Sequence, residues 1–291
     1  QLLQNVVKET RLEKKQETAK VLTEQLNTMT TLDLSGRQIS AEEMAVLATA
    51  LKENTSVTEL KLGNNKLTAE QVAVIVEKIS GSNIQTLDLS QNKLGNANSK
   101  QITELATALK ENTTLTQLDL SNNNLGDADI KQITELAEAF AGSQNVTELK
   151  LGNNKLTAEQ VAVIIKEVSV SNIQTLDLSQ NKLGDADIAA LASALLINKG
   201  TALNNLDVNL SGNTIGKRSV EPIIKVLTHY PTLTLKLPDT LSKEFKVKLV
   251  IGLIDNARGN AINKDATIKQ MATVLNGWET LDLSGQQIGA E

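Results

Sequence analysis

Few residues in this chain could carry chemistry, and their spacing argues against most reactions. His229, in LTHYP, is the only histidine, and cysteine is absent. That removes thiol nucleophiles, disulfides and thiolate metal sites, and it fits a reducing compartment. No Ser/His/Asp set can be assembled around one histidine. There is no Walker-type loop, GxGxxG or HExxH. Asp127/Asp129 and Asp185/Asp187, both in GDADI, have the spacing of paired metal ligands. No further ligand accompanies them, and carboxylates at the start of a helix serve as caps. The residues therefore point to no catalytic group, no cofactor and no metal. Four glycosylation triplets, at Asn54, Asn112, Asn145 and Asn209, read as chance in an Asn- and Thr-rich chain.

What does recur is charge on a repeated frame. Glu59–Gly95 returns at Glu148–Gly184 with changes only at Val76/Ile165, Glu77/Lys166, Lys78/Glu167, Ile79/Val168 and Gly81/Val170. Taking 59 from 148 puts the copies 89 residues apart, which marks a recent internal duplication. Inside the block a shorter unit repeats: VTELKLGNNKL (Val57–Leu67), IQTLDLSQNKL (Ile84–Leu94), LTQLDLSNNNL (Leu115–Leu125), then VTELKLGNNKL and IQTLDLSQNKL again. Each fits L-x-x-L-x-L-x-x-N-x-L. The fourth position falls at Leu60, Leu87, Leu118, Leu149 and Leu176, with spacings of 27, 31, 31 and 27. Leu32 precedes this series and Val208 extends it. Between units, Val72, Ile75, Val76 and Ile79 stand at i, i+3, i+4 and i+7, the apolar stripe of a helix.

A strand of LxLxxN followed by a full helix resembles the ribonuclease-inhibitor-like subclass of leucine-rich repeat proteins, over about Met29–Asn213. The resemblance implies an α/β fold, a right-handed solenoid or horseshoe with parallel strands on the concave face and helices on the convex face. Stacking buries what one strand and one helix cannot bury alone. The asparagines Asn65, Asn92, Asn123, Asn154, Asn181 and Asn213 then turn the chain and bond neighbouring backbone. Arg37 and Gln286 replace that asparagine and predict altered turns. Some members of the subclass are rich in cysteine, which this chain lacks.

The expected organisation is a helical cap over 1–28, regular repeats over 29–216 and irregular repeats over 217–291. Leu241–Ala257 and Asp265–Leu275 carry helical patterns, with a loop at Arg258–Asn260, and LTLKLP (Leu233–Pro238) is an eighth strand. Trp278–Glu291 resembles Thr31–Glu43, so the array restarts and is cut off, and the full protein is expected to be longer. Thr68 with Gln71, and Thr157 with Gln160, have capping-box spacing. Asp127 and Asp185 suit helix starts.

Side chains alternate along a strand, so positions three, five, seven and eight of each unit face the concave side. The charged members are Asp33, Glu59, Lys61, Asp88, Asp119, Glu148, Lys150, Asp177 and Asp207, the candidate partner-binding residues. The strip is polar and mildly acidic, with no Trp, Tyr or Arg to anchor a hot spot. Tyr230, Phe245 and Trp278 lie in the irregular part and read as core. Two readings stand for the strip, a docking face and a solvated scaffold face. Net charge of −5 argues against tracking nucleic-acid phosphates. No apolar run reaches membrane-spanning length and no signal peptide is visible. The partner is accordingly a protein, with no nucleic acid or membrane, and the location cytoplasmic. The duplication and cysteine-free, Asn/Lys/Thr-rich style also resemble repeat effectors of intracellular bacterial pathogens, which would place the protein in a host cytoplasm. The rivals are a regulator of catalysis similar to leucine-rich GTPase-activating proteins, with Arg37 and Arg258 as the loop arginines, and a substrate-recognition region of a longer enzyme.

Overall fold

A computed structural model describes residues 15–197, 205–230, 232–259 and 271–272. After helix α1 (15–26), strands and helices alternate. They are β1 (Thr31–Asp33), α2 (Ala41–Glu53), β2 (Glu59–Lys61), α3 (Ala69–Ile79), β3 (Thr86–Asp88), α4 (Ser99–Glu111), β4 (Gln117–Asp119) and α5 (Ile130–Gly142). Then follow β5 (Glu148–Lys150), α6 (Ala158–Val168), β6 (Thr175–Asp177), α7 (Asp185–Ile197), β7 (Asp207–Asn209), α8 (Val220–His229), β8 (Thr234–Lys236) and α9 (Lys243–Gly259). The eight strands form one parallel sheet in sequence order. The molecule is a right-handed α/β solenoid, strands concave and helices convex.

Every strand is three residues long, one inward consensus residue between two concave-facing positions, because the asparagine turn follows it closely. The middle residues pair straight across: Leu32, Leu60, Leu87, Leu118, Leu149, Leu176, Val208, Leu235. From β2 to β6 these leucines are all but inaccessible, as is the α3 stripe of Val72, Ile75, Val76 and Ile79. Each such side chain contributes roughly 1.5–3 kcal/mol by leaving water. Since Ile164 and Ile165 of α6 are buried in the same way, one aliphatic core runs the length of the array. Phe140, Tyr230 and Phe245 are buried in it; Trp278 lies outside the described residues.

The asparagines form a ladder. Asn123 Nδ2 donates to the carbonyls of Leu89 (2.9 Å) and Leu120 (3.0 Å), joining its own turn to the preceding one. Its backbone N–H donates to Asn154 Oδ1 at 2.8 Å, and Asn154 N–H to Asn181 Oδ1 at 3.0 Å. Arg37 breaks this series less than expected: Gly36 and Gln38 keep the left-handed φ of 69° and 53° found in later turns. What thins is the bonding, with Ile39 N–H reaching Asn65 Oδ1 at 3.4 Å. Gln286 lies outside the described residues.

Helix starts differ from expectation at the GDADI segments. Capping boxes form at Thr68/Gln71 and Thr157/Gln160, and also at Ser40/Glu43, Asn98/Gln101 and Asp129/Gln132. Asp127 ends a 3-10 turn, and Asp129 is the cap of α5. Asp185 opens α7 and turns its carboxylate to the next repeat, accepting from Gly216 N–H at 2.8 Å and from the Ser219 hydroxyl. β8 joins the ladder in register although its unit has no asparagine. Arg258 lies within α9, since that helix runs through Gly259, so it is not a loop arginine. Residues 260–270 and 273–291 fall outside the described residues, and with them Asn260, most of the second helical pattern and the closing stretch from Trp278.

Candidate functional site

The ladder register brings all nine candidate charges to the concave face. At position five the order along the sheet is Asp33, Lys61, Asp88, Asp119, Lys150, Asp177, Asn209, Lys236. The centre therefore reads Lys–Asp–Asp–Lys, with Asp88 and Asp119 directly opposite on neighbouring strands. Like charges so placed repel, and the flanking lysines offset that. Lys61 Nζ lies 3.3 Å from Glu59 and Lys150 Nζ 3.1 Å from Glu148. Burial acts to lower the Lys150 pKa, but Glu148, Asp119 and Asp177 outweigh it and raise the value. The Thr31 hydroxyl, donating at 2.8 Å, is the main cause of a lowered Glu59 pKa. Asp207 accepts from the Thr234 hydroxyl across the last strand pair.

Each position-five aspartate also has a structural duty. Its Oδ1 accepts the backbone N–H two residues on: Asp33 from Ser35 (2.9 Å), Asp88 from Ser90 (2.8 Å), Asp119 from Ser121 (2.9 Å) and Asp177 from Ser179 (2.8 Å). Asn209 does the same for Ser211 at 3.0 Å. This bond ends the strand and leaves the other carboxylate oxygen facing the concavity. Lysine cannot accept it, and where lysine occupies position five of the duplicated unit, glycine occupies position seven. A Cβ at Gly63 would stand 3.0 Å from Ser90 Oγ, and one at Gly152 2.9 Å from Ser179 Oγ. The duplicated ELKLG is thus a packing solution as well as a charge pattern.

Asn54 and Asn112 belong to a second ladder that the repeat consensus does not display. Both are 2% exposed. Asn112 Oδ1 accepts from Thr114 and Leu115 N–H, and its Nδ2 donates to the Val76 carbonyl. Asn54 likewise accepts from Ser56 and Val57. Their position directly after a helix is the available signal, and burial leaves no room for a glycan. His229 packs edge-on against Tyr230 at 4.7 Å between ring centroids. Among the described residues no three His, Cys, Asp or Glu side chains are grouped to hold a metal ion, and no helix is long and apolar enough to cross a membrane.

Comparison with known proteins places this geometry. The leucine-rich repeat family model matches residues 53–70, 111–133 and 171–192. No curated protein matches the sequence. The fold is similar to the leucine-rich repeat-containing protein LegL7 from Legionella pneumophila, at 20% identity and TM-score 0.60, covering 85% of this chain and 81% of that one. The tropomodulin C-terminal domain of Caenorhabditis elegans aligns at 15% identity and TM-score 0.40, over 56% of this chain and 95% of that one. Human trophoblast glycoprotein aligns at 18% identity and TM-score 0.46, over 79% and 84%.

Proposed function

We propose that this leucine-rich repeat protein is a non-enzymatic scaffold that binds a partner protein on its concave surface. The observation that carries the reading is the in-register strip of Asp33, Glu59, Lys61, Asp88, Asp119, Glu148, Lys150, Asp177 and Asp207. The strip lacks the apolar walls a small-molecule pocket requires, and it spans seven strands, β1 to β7, about 4.8 Å apart, so it suits an extended protein surface with basic groups. Its natural setting, on this reading, is the cytoplasm of a host cell entered by a bacterial product. The cysteine-free composition and the recent duplication support that setting, and the fold shared with the Legionella protein is compatible with it.

Asp88→Asn, Asp119→Asn and Asp177→Asn together test the strip. Asparagine removes the charge but keeps the strand-ending acceptor, as Asn209 does. A partner retained by the wild type from a host-cell lysate should associate about tenfold more slowly with the triple variant, and its wild-type affinity should fall with added salt. A folded variant with unchanged association and salt dependence would overturn the concave reading. The regulator of catalysis is checked by nucleotide hydrolysis across a panel of small GTPases. With Arg258 inside α9, that reading rests on Arg37 alone, and Arg37→Ala should abolish any acceleration it supplies.

A further inference from the structure

Position ten of each unit lies between two buried neighbours, the ladder asparagine and the last consensus leucine. Its side chain must therefore point outward from the rim of the loops. That position holds Lys66, Lys93, Asn124, Lys155 and Lys182 in consecutive repeats, and all four lysines are exposed. Among the described residues none of the four forms an ion pair. The loops are stacked in backbone contact: Lys93 N–H donates to the Leu67 carbonyl at 3.2 Å, and Gly126 N–H to the Asn154 carbonyl at 2.8 Å. A Cβ on Gly126 would fall 2.1 Å from the Lys155 carbonyl oxygen. Neighbouring lysines therefore rise from backbones roughly 5 Å apart.

Two costs are built into this row. Like charges at that spacing repel, even in water. Lys66, Lys155 and Lys182 also hold left-handed φ values of 59°, 59° and 62°, where glycine or asparagine is at ease and lysine is strained. Asn124, at φ 56°, shows that an uncharged residue fills the same slot. Folding alone gives no reason for four lysines here. Strain at a repeated exposed position points to use.

We propose that the lysine row is a docking edge for an acidic polypeptide segment laid along the loop rim. The row is one residue wide, which suits a single extended chain. Beside it stand exposed side-chain amides, Asn64, Gln91, Asn122, Asn153 and Gln180; Asn153 Nδ2 donates to Asn122 Oδ1, and the amide groups outside that bond can pair with a peptide main chain. Beyond those lies the aspartate strip. A bilayer or a duplex would bring its sheet of phosphates against Asp88 and Asp119, whereas a peptide can end short of them. This edge is separate from the concave strip, and either surface can fail without the other.

The probe is a fluorescein-labelled synthetic peptide of alternating Glu and Ser, titrated by anisotropy at low salt against the full chain. Saturable binding is expected, weakened by added salt. Lys66→Gln, Lys93→Gln, Lys155→Gln and Lys182→Gln together should weaken it roughly ten- to hundredfold, the loss expected for several exposed ion pairs. Asn124→Lys, which completes the row in a turn that already accommodates lysine, should tighten it. Asp88→Asn, Asp119→Asn and Asp177→Asn should leave it unweakened. Equal affinity of the quadruple variant would overturn the proposal, as would no gain from Asn124→Lys, or tighter binding to phosphatidylserine vesicles or duplex DNA than to the peptide.

Discussion

At the scale of single residues, adjacent asparagines do unrelated work. Asn123 is fully buried and satisfies backbone groups of two turns, while Asn122 beside it is exposed with φ 59°. Asn123→Ala should cost about 1–3 kcal/mol, the desolvation of carbonyls left without donors. Asn122→Ala should cost about 1 kcal/mol for a different reason, the left-handed conformation. Asn122→Gly, free of that penalty, separates the two by chemical denaturation. Asn122 Oδ1 accepts only from the exposed Asn153 Nδ2 on the neighbouring loop, a bond worth about 0.5 kcal/mol at the surface, so an Asn122→Gly loss as large as that of Asn123→Ala would show the ladder assignment wrong. The ladder asparagine is legible in sequence because its slot recurs in six units. The left-handed slots beside it are hidden, because glutamine and lysine fill several of them in place of glycine.

At the scale of elements, strands and helices are plain in the sequence because their apolar positions recur with the unit. The caps are less so. The sequence DAD offers two carboxylates, and only geometry decides that Asp129 closes α5 while Asp185 reaches the following repeat. Burial acts to raise the Asp185 pKa. Hydrogen bonds from the Ser219 hydroxyl and from the N–H groups of Gly216, Arg218 and Ser219 outweigh it, so the value is lowered. The folded state therefore holds fewer protons on this group than the unfolded state. Its contribution is fully present above the ordinary aspartate range, about pH 3.9, and is lost as pH falls toward the folded value. Asp185→Asn should destabilise the chain by about 1–2 kcal/mol at neutral pH, and the deficit should shrink on acidification below about pH 4. Denaturation midpoints of both proteins across that range provide the check. A deficit independent of pH would mean that the bonds to Gly216 and Ser219 do not depend on charge. The same limit holds for the concave strip, where the order of charges could be read from the repeat but the aspartates' bonds to their own turns could not.

At the scale of the whole molecule, a solenoid is held by interfaces between neighbouring repeats, and its ends are where those interfaces run out. The first repeat shows this: Leu32, Leu34 and Ile39 stay half-buried, while their counterparts Leu60, Leu62 and Leu67 are fully covered. Helix α1 packs beside this repeat, against the end of α2. Ala19 and Leu26 are buried and Leu22 packs against the same core. Thr23 Oγ1 donates to the Ala50 carbonyl at 3.1 Å, and Asn54 Nδ2 to Asn27 Oδ1 at 3.1 Å. We infer that residues 1–28 are a cap, and deleting them makes the idea testable. Losing the burial of Leu22 and Leu26 removes roughly 3 kcal/mol or more from the terminal interface. Amide exchange in β1 and α2 should then quicken by about two orders of magnitude. Because coupling passes only between neighbours, the effect should fade by β3 and be absent from β5 onward. Unchanged exchange over Leu32–Leu51 would show that the segment caps nothing. An equal loss in every repeat would show that the array unfolds as one unit, with the end helix stabilising the whole.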